Sequence, residues 1–349
     1  MAEKTRVGVN GYGVIGKRVA DAVRAQPDMH LVGVSDVVSD YRIKTAVALG
    51  LAVYSSTSEG ASDMAASGIS VCGSLDELLD AVDVIVDCTP AKIIADRNLE
   101  RYREHGVKAI FQGGEKHTLT GHSFVAHANY VNALGRDSTR VVSCNTTATV
   151  RTLTALRDRG LLAKARGVLV RRATDPWESD HSGIMNTVVP ENRIPSHQGP
   201  DAQTVVPDLD VVTMAAKGSH TQNHLHYWIV ELTRPARREE VLDALRAAPR
   251  IALVRAADGI VATNSTIELM RDLGRPRGDM FEVAVWEDIL TVNGAELFFT
   301  YTVDNQAVVI PETMDAIRAL CATVSDPAES MRMTDQALGV RRDFLDSAR

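Results

Sequence analysis

The chain has 349 residues, of which 45% are hydrophobic and 24% charged, values typical of a globular enzyme with two domains or one large one. The formal net charge of −7 disfavours broad nucleic-acid binding, which needs a basic surface. No apolar run reaches bilayer-spanning length and the first residues lack a signal-peptide pattern, so we expect a cytoplasmic protein that binds neither membrane nor nucleic acid.

Strands and helices alternate through residues 1–144. Short apolar runs predict strands at residues 6–10, 31–35, 82–87, 108–112 and 141–144. Amphipathic runs predict helices at residues 17–26, 43–51, 75–81 and 96–105. Such alternation is typical of βαβ units around a parallel sheet, so we expect an α/β first domain.

The pattern changes after Thr146. Residues 148–158 predict a helix, and alternating runs then predict strands at 167–171, 227–232, 281–286, 289–292 and 297–303, with few helices between them. Successive strands indicate a mixed or antiparallel sheet, in a second domain over residues 145–310. The segment 175–207 is too long for a simple connection and predicts a functional loop. Residues 312–324 predict a helix, and we expect the C-terminal segment 311–349 to complete the first domain.

A Gly-x-Gly-x-x-Gly motif lies between the first strand and the first helix. Gly11 permits a tight turn, Gly13 lets the backbone approach a pyrophosphate, and Gly16 lets helix and strand pack closely. The helix N-terminus then faces the phosphates. Asp36 ends the second strand, where an acid can bond the ribose 2′-hydroxyl of NAD and repel the extra phosphate of NADP. The alternative is a glycine turn in an unrelated α/β fold, with Asp36 a solvated loop acid.

Cys144 lies between an apolar strand and a helix, in the run SCNTT at residues 143–147. The N–H groups of a helix N-terminus favour the reactive thiolate and can hold an oxyanion when sulfur attacks a carbonyl. Beside a nicotinamide, such a thiolate predicts an aldehyde dehydrogenase that passes through a hemithioacetal and a thioester. The other reading is a buried structural thiol, which we keep for Cys72, Cys88 and Cys321. No CxxC pair occurs, so we expect reduced thiols.

This reaction needs a general base, and the histidines of residues 220–226 (HTQNHLH) are the best candidates. His224 and His226 would share one face of a predicted strand, and Leu225 would lie on the other. The pair could alternatively bind a metal ion. No third ligand of suitable spacing is evident, so we expect no metal.

With these motifs in place, the chain resembles the archaeal-type (type II) glyceraldehyde-3-phosphate dehydrogenases. The matching segments run in family order across nearly the whole chain. They are VNGYGVIGKRVADAV (9–23), DCTP (87–90), KAIFQGGEKH (108–117), TRVVSCNTT (139–147), VLVRRATDP (168–176), PSHQGPDAQTV (195–205) and DLGRPRGDMFEVAVWED (272–288). The resemblance implies an N-terminal Rossmann domain with a doubly wound parallel sheet, an α+β catalytic domain, and a homotetramer. It also implies oxidation of glyceraldehyde 3-phosphate by NAD or NADP, with inorganic phosphate as co-substrate, to 1,3-bisphosphoglycerate in glycolysis.

The resemblance also implies residue roles. Cys144 would be the nucleophile and His224 the general base, with His226 beside it. Substrate would contact Ser143, Asn145, Thr146, Arg171, His197, Gln198 and Gly199. The dinucleotide would contact Gly11, Gly13, Val14, Ile15, Gly16, Asp36, Gly114, Arg172 and Asn305. An arginine pair suits phosphate, although strand neighbours point opposite ways, so only one of the two would face the site; the alternative is a solvated strand end.

Some positions depart from the family pattern. His197 and Gln198 stand where the family has two histidines, and KGSHTQN (217–223) replaces an apolar segment with Pro-Thr-Thr. DNQA (304–307) replaces a His-Gln-Glu-Ser run, and ATV (148–150) replaces Gly-Leu-Cys. The family often carries a basic residue after the second strand, whereas an acid here favours NAD.

These departures suggest two variants of the reaction. One is the same chemistry on a different phosphorylated or phosphonate-bearing aldehyde. In the other, water replaces phosphate and a carboxylic acid is formed. Two other classes stay open. A nucleotide-sensing binding module would have no need for Cys144 and His224, and a cysteine-dependent semialdehyde dehydrogenase is not favoured by the motifs.

Overall fold

A computed structural model of the protein describes residues 3–112, 114–176, 179 and 183–345, with the backbone alone at 91–93. Parts of three sequence segments lie outside the described residues: Gly113 of the family segment 108–117, residues 177, 178 and 180–182 of the predicted loop, and residues 346–349 at the C-terminus. The chain forms two compact units. The first contains Met1–Ser143 and Ile310–Gly339, and the second contains Cys144–Val309 and Val340–Arg349.

The first unit is built on an eight-stranded sheet in which every pair of neighbouring strands is parallel. Its strands are β1 (Thr5–Asn10), β2 (Met29–Asp36), β3 (Val53–Ser55), β4 (Gly73–Ser74), β5 (Val84–Asp87), β6 (Lys108–Phe111), β7 (Ser123–Phe124) and β8 (Ser138–Val141). Its helices up to residue 129 are α1 (Val14–Ala25), α2 (Tyr41–Ala48), α3 (Ser58–Ala66), α4 (Leu75–Leu79), α5 (Ala91–Glu104), α6 (His117–Thr120) and α7 (Ala126–Asn129).

The strand order is β4-β3-β2-β1-β5-β6-β8-β7, which confirms the doubly wound parallel sheet. The order reverses between β1 and β5, and sheets of this kind bind ligands at the carboxyl ends of the strands beside such a reversal. The glycine motif follows β1 at that edge. The prediction missed β3, α3 and β4, because these elements are short and carry little hydrophobic periodicity.

The second unit carries a mixed eight-stranded sheet in the order β10-β11-β9-β12-β16-β14-β13, with β15 paired to β16. Its strands are β9 (Leu162–Arg171), β10 (Val189–Pro190), β11 (Val211–Lys217), β12 (His224–Leu232), β13 (Ile251–Val254), β14 (Val283–Trp286), β15 (Thr291–Asn293) and β16 (Glu296–Val303). Its helices are α8 (Cys144–Arg157), α9 (Gln198–Gln203), α10 (Arg238–Ala247) and α11 (Thr263–Asp272). The predicted mixed sheet is therefore confirmed.

Several predicted boundaries at the end of the first unit and within the second are wrong. The predicted strand 141–144 ends at Val141, because Cys144 already begins α8, whose first-turn side chains are polar yet buried. The prediction of few helices missed α10 and α11, and it also missed β11 and β13. The signal in α10 was readable, since Val241, Leu242 and Leu245 fall at helical spacing and are buried.

The C-terminal segment 311–349 is divided between the units. Two helices, α12 (Ile310–Leu320) and α13 (Pro327–Leu338), belong to the first unit, where the buried Arg318 bonds the carboxylate of Asp28. From Val340 the chain belongs to the second unit, where the Arg341 N–H donates to Glu282 and Phe344 packs in an apolar cluster. The sequence led us to expect that the whole segment completes the first domain, but only the part up to Gly339 belongs to the first unit. Across the described ranges, none of the helices has the length and apolar character needed to cross a membrane.

Candidate active site

The glycine motif forms an open cradle at the N-terminus of α1. Gly11 has φ +93°, and a Cβ there would lie 2.9 Å from the carbonyl carbon of Cys88. A Cβ at Gly16 would lie 1.9 Å from the Gly11 oxygen, whereas one at Gly13 would meet nothing within 4 Å. The outer two glycines are thus required by packing, and the middle one leaves space beside the first residues of α1, Val14 and Ile15. This arrangement fits a dinucleotide pyrophosphate.

Asp36 folds back onto this glycine loop. Its Oδ2 accepts the Tyr12 N–H at 2.7 Å, and its Oδ1 accepts the Val37 N–H at 2.7 Å. The carboxylate is therefore held beside the cradle, at the end of β2. Gly114, with φ +86° and open space around it, follows β6 at the same edge of the sheet.

In the second unit, the predicted nucleophile and histidine meet. Cys144 is the first residue of α8 and His224 the first residue of β12. The Cys144 Sγ lies 3.3 Å from the His224 Nε2, although the two residues are 80 positions apart in the sequence. His224 is almost completely buried, and Cys144 is half-buried. This contact is the geometry of a cysteine paired with a proton-handling group.

The second ring nitrogen of His224 determines which nitrogen carries the proton. The backbone N–H of Arg172 donates to Nδ1 at 3.0 Å, so Nδ1 must offer a lone pair. The single proton of the neutral ring then lies on Nε2, which points it at the Cys144 sulfur. Burial, and after it the nearby His226 and Arg172, holds the pKa of His224 well below its usual range, so the ring is neutral.

The resting state of Cys144 differs from the sequence-based expectation of a thiolate. Burial raises the pKa of the thiol to about 11, against the opposing charges of Arg172 and Arg171 and the Asn145 N–H. The cost of removing a thiolate from water outweighs these three favourable interactions. The sulfur is therefore a thiol at neutral pH, and the groups around it act on a minor thiolate population.

The residues on either side of Cys144 have separate environments. Asn145 directs its Nδ2 towards the sulfur at 3.8 Å, a distance at which a sulfur acceptor still receives a weak hydrogen bond. The Thr146 hydroxyl donates to the Asp201 carboxylate at 2.9 Å and so points away from Cys144. Ser143 is half-buried and ends the first unit. Asn145 is therefore the neighbour whose side chain reaches the sulfur.

The two histidines of β12 have different hydrogen-bond partners and do not converge on one point. His224 faces the sulfur, whereas His226 bonds Asn145 Oδ1 through Nε2 at 2.8 Å and the Tyr301 hydroxyl through Nδ1 at 2.7 Å. Both nitrogens of His226 are therefore engaged by protein groups. Within the part of the chain that is described, no three His, Cys, Asp or Glu side chains are arranged to hold a metal ion.

Arg171 and Arg172 both act on Cys144. β9 ends at Arg171, and the charges of both arginines lower the pKa of the thiol. The expectation that only one of the two faces the site stays a prediction. Arg171 contacts Glu191 at 3.2 Å, and Arg172 contacts Asp175 at 3.0 Å. The Nε atoms of both arginines are buried and find no hydrogen-bond partner among the described residues. Unpartnered buried donors of this kind fit an anionic ligand.

The predicted phosphate loop lies at the start of α9. Gln198 approaches His197, with its Nε2 3.1 Å from the ring Nε2, and its buried Oε1 has no partner in the described ranges. The Gly199 N–H donates to Thr213 at 2.9 Å. The Glu191 carboxylate, which the sequence analysis missed, lies 3.3 Å from the His197 ring. Although burial opposes it, His197 and then Arg171 hold the pKa of Glu191 below its usual range, so an anionic carboxylate lies against both side chains.

Asn305, expected to contact the cofactor, is engaged within the second unit. Its Oδ1 accepts the backbone N–H of Asn223 at 2.8 Å, and its Nδ2 donates to Asp175 at 3.1 Å. Asn223 immediately precedes His224 and has φ +63°. Asn305 therefore ties the turn before His224 to Asp175, the partner of Arg172. The sequence offered no signal for this contact, since the residues are far apart along the chain.

Comparisons with known proteins identify the family of this chain. Residues 143–288 match the family described as glyceraldehyde 3-phosphate dehydrogenase, C-terminal domain, and residues 5–114 match dihydrodipicolinate reductase, N-terminus. The glyceraldehyde-3-phosphate dehydrogenase of Methanobacterium bryantii is 43% identical over 96% of this chain and 99% of its own. Those of Hyperthermus butylicus (44%, over 97% and 98%) and Methanothermus fervidus (40%, over 96% and 98%) are similar to it to nearly the same degree. The predicted resemblance is confirmed, and the chain belongs to the archaeal-type glyceraldehyde-3-phosphate dehydrogenase family.

Proposed function

We propose that the protein catalyses the NAD(P)-dependent phosphorylating oxidation of glyceraldehyde 3-phosphate to 1,3-bisphosphoglycerate, with Cys144 as nucleophile. The observation that carries this proposal is the 3.3 Å contact between the Cys144 Sγ and the His224 Nε2, beside two arginines with unpartnered buried Nε atoms. Family membership supports the same reaction. A binding module would have no need for this pairing of thiol and imidazole.

The chemistry begins at the sulfur. The Cys144 thiolate attacks the aldehyde carbon, a C–S bond forms, and the carbonyl electron pair moves to oxygen. A nicotinamide held at the glycine cradle would supply the hydride acceptor, and loss of hydride from the carbon attached to sulfur leaves a thioester on Cys144. An oxygen of inorganic phosphate then attacks the thioester carbon, and the C–S bond breaks. The acyl phosphate and the Cys144 thiolate are released, and the phosphate loses its proton.

His224 has two conceivable roles in these steps. The sequence-based role of general base requires an unprotonated Nε2, but the hydrogen bond from the Arg172 N–H supports a proton on that atom. We therefore propose that the Nε2–H of His224 donates a hydrogen bond, first to the thiolate and then to the oxygen that gains charge after attack. Because the thiolate has already lost its proton, hydride departure from the resulting alkoxide requires no further base.

We assign the phosphates to the arginine and loop residues. Arg171, Arg172, His197 and Gln198 supply donors for the substrate phosphate and for inorganic phosphate. The two unpartnered Nε atoms support this assignment, because they are donors that phosphate oxygens can satisfy. We further propose NAD as the preferred cofactor, on the basis of the fixed Asp36 carboxylate beside the glycine cradle.

The same chemistry on a different phosphorylated or phosphonate-bearing aldehyde is the second candidate. Two contacts of Glu191 favour it. The carboxylate lies 3.2 Å from Arg171 and 3.3 Å from His197, and so offsets positive charge that a phosphate would use. If glyceraldehyde 3-phosphate exceeds every other phosphorylated aldehyde by orders of magnitude in kcat/KM, this candidate is rejected.

We also propose that the protein is a homo-oligomer, with the family's tetramer as the expected form. Support comes from the sheet of the second unit, where large apolar side chains are exposed on neighbouring strands. They are Val168, Met214, Tyr227, Ile229 and Phe298. Val168 is paired in register with Met214 and Tyr227, and Ile229 is paired with Phe298, so all five project from one face. A contiguous apolar face of this kind is typical of a protein interface.

The oligomer is tested by sedimentation. We expect Ile229→Arg to reduce the mass in solution, while Val131→Arg, an exposed valine of the first unit, leaves the mass unchanged. A monomeric wild-type protein would refute the assembly. The four free cysteines further support a reducing compartment, and we propose a cytoplasmic role in glycolysis.

The activity is tested by reduced-nicotinamide formation from D-glyceraldehyde 3-phosphate with NAD or NADP, with and without inorganic phosphate. We expect phosphate-dependent turnover in the wild type and in Cys72→Ala, whose thiol is exposed, and none in Cys144→Ala. Turnover by Cys144→Ala would reject the thioester route. Turnover without phosphate would mean that water resolves the thioester, and no turnover despite cofactor binding would indicate another aldehyde.

A further inference from the structure

Next to the sulfur lies a chain of three buried, hydrogen-bonded side chains, Tyr301, His226 and Asn145, which we call the relay. We propose that Tyr301 and His226 are positioning residues that fix the orientation of the Asn145 carboxamide, so that its N–H faces the reacting sulfur and oxygen. The inference rests on the proposed function for its chemical consequence. Its geometry stands on the second unit alone.

The relay runs between two paired strands and the first turn of α8. His226 on β12 and Tyr301 on β16 are directly opposite each other in the antiparallel register, with ring centroids 4.8 Å apart. The Tyr301 hydroxyl lies 2.7 Å from His226 Nδ1, and His226 Nε2 lies 2.8 Å from Asn145 Oδ1. The Asn145 Nδ2 then lies 3.8 Å from Cys144 Sγ. All three relay residues are buried.

The hydrogen bonds of the relay have a direction, which the neutral ring of His226 and the acceptor oxygen of Asn145 set. Burial lowers the pKa of His226 to about 3 and raises that of Tyr301, so the imidazole is neutral and the phenol keeps its proton. The Asn145 Oδ1 is an acceptor only, so the proton of the neutral ring must lie on Nε2. Nδ1 is then left with a lone pair, and the Tyr301 hydroxyl donates to it.

Reversing this order would harm the reaction. If Nδ1 held the proton, the Nε2 lone pair would face the Asn145 oxygen, and the carboxamide would rotate to donate to the ring instead. Its oxygen would then point at the sulfur, where a thiolate or an alkoxide develops negative charge. An acceptor in that place repels the charge that a donor stabilises. The order in which Tyr301 donates to Nδ1 and Nε2–H donates to Asn145 Oδ1 thus holds the productive orientation, although Tyr301 does not contact the sulfur.

The consequence is a pair of donors that converge on one atom. His224 Nε2 reaches the sulfur at 3.3 Å and Asn145 Nδ2 at 3.8 Å, each held by a different support. The Arg172 backbone N–H supports the first, and the Tyr301–His226 pair supports the second. Loss of the second support is expected to raise the pKa of the thiol further and to slow the chemical step, without weakening substrate binding.

The test uses Tyr301→Phe beside Tyr130→Phe as a matched control. Tyr130 is also buried and also loses one hydroxyl hydrogen bond, to the Val324 carbonyl, but it belongs to the first unit. Iodoacetamide alkylation of Cys144 is followed from pH 7 to 10 by peptide mass spectrometry. We expect the rate at pH 8 to fall about tenfold in Tyr301→Phe and not in Tyr130→Phe, the effect of about one hydrogen bond. Equal rates in the two variants would overturn the proposal.

Two substitutions at His226 provide a rescue test. Gln can place an N–H where Nε2 lies and still donate to Asn145, whereas Leu cannot. We expect kcat of His226→Gln to exceed that of His226→Leu about tenfold with KM unchanged; equal kcat values contradict the relay. If the Leu variant does not fold, the Tyr301→Phe comparison decides alone. Alkylation needs no aldehyde, so a changed pH profile in an enzyme inactive on glyceraldehyde 3-phosphate would reject the proposed function and keep this inference.

Discussion

Substitution of His224 by glutamine and by alanine separates the two roles that its ring can play. Glutamine keeps an N–H that can reach the Cys144 sulfur but cannot accept a proton at neutral pH, and alanine can do neither. If the ring acts as a donor, His224→Ala loses about 10²–10³ in kcat while His224→Gln retains a large part of the rate. If the ring acts as a base, both variants lose about 10²–10⁴ together.

The magnitude of the pH effect follows from the burial of Cys144. With its pKa at about 11, the thiolate fraction at pH 7.5 is roughly 0.03%, against roughly 9% for a solvated thiol of pKa about 8.5. Each unit of pH between 7 and 10 therefore raises the thiolate fraction about tenfold. Loss of the His224 donor raises the pKa of the thiol further, so the alkylation rate of His224→Ala lies below the wild type across this range.

The assay is alkylation by iodoacetamide at pH 6 to 10, with the exposed Cys72 as an internal reference in the same protein. We expect the Cys144 rate to climb throughout, without a plateau at neutral pH. A plateau already reached by pH 7 would show a depressed pKa and a resting thiolate, and so refute the argument from burial. Equal kcat values for His224→Gln and His224→Ala would refute the donor role.

Three further predictions concern stability and cofactor choice. Glu282→Gln removes a negative charge that contacts the buried Arg275 at 2.6 Å, and we expect urea titration to show a loss of about 3–5 kcal/mol. The exposed Glu239→Gln is expected to lose under about 1 kcal/mol. Asp36→Ala is expected to raise the kcat/KM ratio of NADP to NAD at least about tenfold; an unchanged ratio would dismiss its role. The pKa of His226 in the folded protein is about 3, so between about pH 6.5 and 4 only the unfolded chain binds this proton. We therefore expect the urea concentration at the unfolding midpoint to fall as the pH is lowered over this range, and a flat profile would contradict this.

Local sequence patterns were sufficient for the parts of the molecule that depend on local physics. The glycine motif after β1 and the parallel order of the first sheet both follow from short-range periodicity and turn chemistry. The same patterns failed for β4, which has two residues, and placed a strand where Cys144 already begins α8. Elements this short, or polar and buried, have no periodicity that reveals them.

The supports of the site could not be predicted in this way, because they depend on contacts between distant segments. Tyr301 is 75 residues from His226, and Asn305 is 130 residues from Asp175. The charge state of Cys144 is a further case: the local expectation of a thiolate rested on the helix N-terminus, but burial by the whole unit sets the pKa. Glu191 is likewise an ordinary loop acid in the sequence, and only the fold brings it to Arg171 and His197.

Two of the departures from the family pattern meet in space, and this changes how they are understood. The segment 217–223 contains Asn223, whose N–H is accepted by Asn305 from the segment 304–307. Asn305 bonds Asp175, Asp175 pairs with Arg172, and the Arg172 N–H orients the His224 ring. Residues that hydrogen-bond to each other in this way support the His224 ring and need not contact the aldehyde. The case for an altered substrate therefore rests on Gln198 and Glu191, and kinetics with variants at these two positions is the direct way to examine it.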